Sequence, residues 1–262
     1  METNYIIEEL KLKGFFKIPQ VFSQIQINAI KQQVSRYVTK KHPGIVFEED
    51  QKSIRGIHGL HLFDKFFCNL SRHPILLKLA MEHLGEPCYV HQYKVNLKKK
   101  HTGQAWPWHQ DFIFWKHGDG IETPRLINIG VFLDRVTSDS GPLCLIPGSH
   151  LLGELTDIEL SAGAWEQDVA AQLRYTISEQ RALMLVEHYG RKYITGNAGD
   201  VIVFDPQTVH RSSLNLSDKD RQLLLITYNA ISNRPFKESN RPEFLSAKGT
   251  KALEVNEFSE TV

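Results

Sequence analysis

The chain has 262 residues, of which 41% are hydrophobic and 23% charged, with a formal net charge of +1. That length suits one large or two small domains with a sizeable core, and the near-neutral balance gives no ground for a nucleic-acid or acidic-membrane partner. Cys68, Cys88 and Cys144 are odd in number and widely spaced, which argues against a disulfide framework and against a cysteine-based zinc site. The N-terminus has no basic region followed by an apolar run, and no stretch approaches ~18 consecutive apolar residues. Neither a signal peptide nor a transmembrane helix is expected, and a cytoplasmic protein is the default.

In chain order, residues 5–13 have the pattern of a short amphipathic helix capped by Gly14. Residues 15–18 then form a strand stopped by Pro19. Ser23, with Gln26 three residues on, is a capping box that opens a second helix reaching about residue 39. Ile25, Ile27, Ile30, Val34 and Val38 recur along it at helical spacing and are expected in the core. Residues 41–61 carry Arg55, His58 and His61 around Gly56 and Gly59, as either a solvated loop or a loop facing a substrate. A helical stretch over 64–84 is broken near His73-Pro74 and ends at Gly85.

From Cys88 the period changes to two, and Tyr89, His91, Tyr93 and Asn96 fall on a strand. Lys98-Lys99-Lys100 is expected as a solvated turn. Phe112, Ile113, Phe114 and Trp115 mark core or the wall of a pocket. Residues 126–133 are a buried-strand run, and 141–150 a strand followed by a tight turn. Residues 152–180 lack firm periodicity and are expected as an insertion, a partly helical lid. A helix over 182–189 and strands near 193–195, 200–205, 209–214 and 222–229 follow, then a loop-rich tail from Ser232. Helices first and then many short strands with Gly/Pro turns predict an α+β chain with a β-sandwich or jelly-roll core. No Gly-rich βα unit points to a dinucleotide fold.

The stretch Trp106-Pro107-Trp108-His109-Gln110-Asp111 organises the rest. On an extended strand His109 and Asp111 point to one face and can hold adjacent positions on one metal. His210, after a turn and a buried strand, is the best third ligand; two His and one carboxylate form the facial set typical of non-heme Fe(II). An ordinary hydrogen-bonded His/Asp pair is the competing explanation. Two features weigh against it. Arg221 enters a buried strand where an unpaired charge is costly, so it should meet an anion. Ser212 lies two residues beyond His210, and a hydroxyl with an arginine fork suits a carboxylate.

Trp108-His109-Gln110-Asp111, Gly141-Pro142-Leu143 with Pro147-Gly148-Ser149-His150, and His210 followed by Arg221 together resemble the phytanoyl-CoA dioxygenase-like family. The resemblance runs from about Tyr5 to Tyr228. It implies one domain over 1–262, with a helical part to about 85, a double-stranded β-helix (jelly-roll or cupin-like) core over about 86–230 and a tail over 231–262. Stretches 90–96, 106–113 and 225–229 most resemble bacterial hydroxylases of free aliphatic amino acids, of the leucine 5-hydroxylase type, with ectoine hydroxylases a more distant likeness.

Carried over by residue, the resemblance makes His109, Asp111 and His210 ligands of Fe(II). Arg221 and Ser212 grip the far carboxylate of 2-oxoglutarate, with Asn96 and Trp106 near this co-substrate. Arg241 would hold the substrate's carboxylate, while Val169, with Phe112, Phe114 and Trp115, would face its apolar part. Arg55 or His58 would help hold its charged end. O2 is the second co-substrate and ascorbate a stimulating additive. The partner is a small molecule, not a nucleic acid or a membrane; with no basic region for CoA, a CoA thioester is not expected. The competing classes are a hydroxylase of an ectoine-like or other small metabolite, a zinc cupin-type enzyme on the same ligands, and a non-catalytic β-sandwich binding module.

Overall fold

Capping chemistry cuts the N-terminal part into helices much as the sequence dictates. In the computed structural model, which describes residues 3–160 and 165–256, helix α1 (Thr3–Lys13) stops at Gly14, held at φ +81°. Strand β1 (Phe15–Ile18) leads to α2 (Gln24–Val38). Ser23 and Gln26 form the expected reciprocal box: each side chain accepts from the other's backbone N–H. Ile27, Ile30 and Val34 are buried, but Ile25 and Val38 are 73% and 41% exposed and leave the core list; they flank the apolar stripe rather than lie on it.

Segment 41–61 is not only a loop. It holds a hairpin of β2 (Ile45–Phe47) and β3 (Ile54–His58). Its glycines and polar residues hide the strands, which are held by pairing across space with β4 (Cys88–Lys98), Gly56 opposite Asn96 and His58 opposite Lys94. Helices α3 (Leu60–Phe63), α4 (Lys65–Leu70) and α5 (Pro74–Leu84) follow β3, with Pro74 opening α5 and Gly85 closing it in the left-handed conformation.

After β4 come β5 (Trp106–His109), α6 (Phe112–Asp119), β6 (Leu126–Phe132) and β7 (Leu143–Leu145). The insertion contributes β8 (Ile158–Glu159) and β9 (Tyr175–Thr176), and α7 (Glu179–Tyr189) comes next. The chain then adds β10 (Lys192–Ile194), β11 (Val201–Phe204), β12 (His210–Ser212) and β13 (Arg221–Ala230).

A large antiparallel sheet runs β1-β11-β6-β13-β4-β3-β2, and a smaller one β10-β7-β12-β5. Alternation along the central strands decides what each face packs against. Ile127, Ile129 and Val131, Val201 and Val203, Leu224, Ile226 and Tyr228 share one core with Ile27, Ile30, Leu76 and Leu77 of the helices. Their neighbours Phe132, Ile202, Phe204, Leu223 and Leu225 share another with Leu145 and Ile194 of the small sheet. The large sheet is thus covered on both sides, which is why its central strands are continuous apolar runs. Gly130 sits where this packing is tightest: a Cβ there would lie 2.8 Å from Ile202 and 3.0 Å from Leu225.

Lys98 corrects the expectation of a solvated lysine turn. It is 2% exposed, and its ammonium donates to the carbonyls of Gln104, at 2.7 Å, and Ser213. Among the described residues, the insertion holds the β8–β9 pair and one short 3-10 helix (Trp165–Asp168), so it is partly helical as expected, with paired strands that its sequence does not show. Its neck is tied by Leu160 N–H to Arg174 O (2.9 Å) and by Ser178, whose N–H and hydroxyl both reach the Asp157 carboxylate. The chain start examined for a leader, the middle of the 152–180 insertion and the end of the tail fall at 1–2, 161–164 and 257–262, outside the described residues. Among the described residues no helix is long and apolar enough to cross a membrane.

Candidate metal centre and active-site pocket

β5 and β12 lie side by side in the small sheet, with His109 directly opposite His210. Their rings are 4.2 Å apart between centroids. Asp111 is not on the strand with His109. The chain turns after His109, and Asp111 sits at the N-terminus of α6 with helical φ and ψ of −70° and −36°. Its carboxylate still reaches the two rings, so the expected grouping survives although the expected strand does not.

One ligand atom from each of His109, Asp111 and His210 fits within 4.8 Å of the others, and all three residues are buried. Nδ1 of His109 is 2.7 Å from the Pro107 carbonyl, and Nδ1 of His210 is 2.9 Å from that of Thr208. A carbonyl only accepts, so each Nδ1 carries the proton and each Nε2 presents a lone pair to the cluster. The Nε2 atoms lie 3.8 and 3.9 Å from the Asp111 oxygens. These separations are too long for the hydrogen-bonded pair that was the competing explanation. They are within the span of atoms sharing one ion at about 2.0–2.2 Å each.

Electrostatics prepares the same set. Burial pushes His109 down to about 3, helped by the neighbouring His210, and burial likewise lowers His210, so both rings are neutral near pH 7. For Asp111, burial pushes upward but is outweighed by Lys94, His210 and His109, and the carboxyl stays below its ordinary range. Asn128 on β6 donates to the Asp111 carboxylate at 2.8 Å, and Thr227 on β13 donates to Asn128 at 2.7 Å. Gln110 points away and ties its turn to two other segments by three hydrogen bonds, donating to Gly153 O and Gln207 O and accepting from Leu155 N–H. A neutral two-nitrogen, one-carboxylate donor set with its proton sites already committed fits a divalent transition metal.

Arg221, Ser212, Asn96 and Trp106 line the pocket that opens onto this cluster. Arg221 is 3% exposed and donates to the carbonyls of Gly141 and Ser140. Burial lowers it to about 10, and it makes no ion pair among the described residues. Trp106 is held from behind by Arg55, whose guanidinium stacks 3.7 Å over its ring and pairs with Glu48 at 2.8 Å. Arg55 therefore buttresses the pocket and is not free to meet a substrate's charge. His58 does line the pocket, as the substrate-facing alternative for segment 41–61 expects.

On the outer side, Phe114, Trp115, Val169 and Arg241 also line the pocket. Phe112 does not; it packs within the aromatic cluster around Ile113 and Ile121. Arg241 pairs with Asp119 at 2.9 Å and with Asp168 at 3.4 Å, so its charge is already matched. Sequence reasoning missed Asn128, Thr227, Lys94 and Asp168. The first two had a signal: each is a lone polar residue inside an apolar strand run, where a buried polar group needs a partner.

A sequence model of the phytanoyl-CoA dioxygenase family matches residues 10–223. L-proline trans-4-hydroxylase from Streptomyces griseoviridis is 38% identical, covering 93% of this chain and 92% of that protein. Ectoine dioxygenase from Bordetella bronchiseptica is 30% identical over 87% of this chain and 75% of its own. Crystal structures of EctD from S. alaskensis superpose on 98% of this chain and 87% of theirs with bound Fe (TM-score 0.82), and on 96% and 86% with 2-oxoglutarate and 5-hydroxyectoine (TM-score 0.80), at 26% identity in both.

Proposed function

The chain belongs to the phytanoyl-CoA dioxygenase family and is an iron- and 2-oxoglutarate-dependent dioxygenase, and from that premise we propose that it hydroxylates an unactivated C–H bond of a free aliphatic L-amino acid such as leucine. The observation that carries this reading is the buried His109/Asp111/His210 cluster sharing one pocket with Arg221, a buried cation whose protein partners are carbonyls.

His109, Asp111 and His210 would hold iron, which when bound would supply the oxidative chemistry that couples conversion of 2-oxoglutarate and O2 to succinate and carbon dioxide with entry of one oxygen atom into the substrate. Asn128 fixes the orientation of the Asp111 carboxylate that would bind the ion. The Arg221 fork and the Ser212 hydroxyl take the far carboxylate of 2-oxoglutarate. Asn96 and Trp106 flank that co-substrate. Phe114, Trp115 and Val169 exclude water and receive an aliphatic side chain. Arg241 and Asp168 set opposite charges side by side on one wall, and the two charges of an amino acid's α-carbon would exchange with that pair, the carboxylate displacing Asp168 from Arg241 while Asp119 keeps its contact. Lys94, 3.9 Å from Asp111, adds a cation between the two ends.

The kinship with ectoine dioxygenase supports a second reading, an ectoine-like or other small metabolite in the same pocket. A succinate-release screen across free amino acids and ectoine, with mass spectrometry for the gain of one oxygen, separates the two. Stimulation by leucine or a close aliphatic analogue is expected. Turnover of ectoine alone, with every aliphatic amino acid at the substrate-free background, would sink the first reading.

A further inference from the structure

Arg221 and Lys98 are register partners across β13 and β4. Arg221 lines the pocket; Lys98 does not, but it lies two residues beyond Asn96 in the row Gln92, Lys94 and Asn96 that does, and strand alternation puts its side chain on the same face of β4. Both are buried. Like charges directly opposite on paired strands repel, and burial strengthens the repulsion. The hydrogen-bond partners of both are main-chain carbonyls: Ser140 and Gly141 for Arg221, Gln104 and Ser213 for Lys98. The charged groups that face Lys98 are Arg221 from β13, Arg55 from β3, and Glu48 at the end of the β2–β3 hairpin. Glu48 is committed to Arg55. Asp134, which acts on Arg221 from a distance, is hydrogen-bonded to Lys31. This end of the pocket therefore carries more positive than negative groups.

We propose that Lys98 is a second, proton-adjustable cation of the co-substrate seat: it gives up its proton when the seat is empty and regains it when a dicarboxylate settles on Arg221. The inference rests on the Arg221 seat proposed above. Burial, reinforced by Arg221 and Arg55, pulls Lys98 down to about 6. As a neutral amine it still has two N–H groups for the carbonyls of Gln104 and Ser213, so it keeps pinning the segments next to Trp106 and Ser212. A carboxylate on Arg221 offsets that arginine's field, and the amine takes a proton. Because binding raises the pKa of Lys98, affinity is greatest below the empty-state value and declines as pH climbs through it.

The test is calorimetric titration of 2-oxoglutarate into the Mn(II)-loaded enzyme in two buffers of different ionisation enthalpy, so that the difference in heat counts protons. Uptake on the order of one proton at about pH 7.5 is expected, with Kd rising about tenfold or more between about pH 6.5 and about pH 8. Lys98→Met stays uncharged and Lys98→Arg stays charged, so both should bind without uptake and with a flat Kd. Buffer-independent heats in the wild type, or uptake that persists in either variant, would overturn the proposal. The wild-type arm needs no variant, so misfolding of Lys98→Met leaves the test intact. Tight binding without uptake removes the role of Lys98 and keeps the seat; unweakened binding by Arg221→Ala removes the seat itself.

Discussion

At the metal end of the pocket, His109, His210, Asn128 and Thr227 all stand on strands, and each has a partner on a neighbouring strand or in its own turn. At the substrate end, Asp168 and Val169 stand in the insertion, Arg241 in the segment after β13 and Asp119 at the end of α6. The first set is fixed by sheet register, the second by ion pairs between segments that share no ladder. A reaction common to many relatives needs the first kind of rigidity, while a choice among substrates can be left to the second.

Four variants probe that division, in falling order of effect. Asp111→Ala removes the one charged ligand of the cluster and should cut succinate formation by on the order of a thousandfold or more, with metal lost from the purified protein. Retained iron and turnover would mean the ligand set is misassigned. On the proposed co-substrate seat, Arg221→Ala removes the buried cation and should raise the KM for 2-oxoglutarate on the order of a hundredfold. A KM within a factor of ~2 would place the dicarboxylate elsewhere. Asn128→Ala leaves the ligands in place but unsupported; metal affinity should fall about 10–100-fold, measured by competition with a chelator. At the other end, Val169→Ala should shift preference among aliphatic amino acids by about tenfold while leaving the KM for 2-oxoglutarate alone. If this change altered the co-substrate KM instead, the two ends would not be separable.

The same division governs what could be inferred from sequence. That His109, Asp111 and His210 gather in one cluster, with Arg221 and Ser212 in the adjoining pocket, was legible because strand alternation and burial of charge leave marks within a few residues of each group. The geometry of Asp111 was not, since the turn into α6 follows from packing of Phe112 to Trp115 against Leu126 and Leu173. The β2–β3 hairpin was missed because its pairing partner lies on β4, far along the chain. Lys98 was misplaced because a run of three lysines looks solvated, while only the fold shows that two loops close over the first of them. Asp168 stands in a segment with no period to interpret, and its role depends on Arg241, which arrives from the tail.

The insertion's neck bears on how such enzymes diversify. Its two ends are stitched together by Asp157, Leu160, Arg174 and Ser178, and Gln110 anchors its root to the turn beside the ligands. Once ends are closed, doubling the length of what lies between them costs only about 0.6 kcal/mol of chain entropy. Closure at the neck thus adds little dependence on the length of the stretch that carries Asp168 and Val169. What varies within that neck bears on the pocket through Asp168 and Val169, while the register of β5 and β12 is set elsewhere.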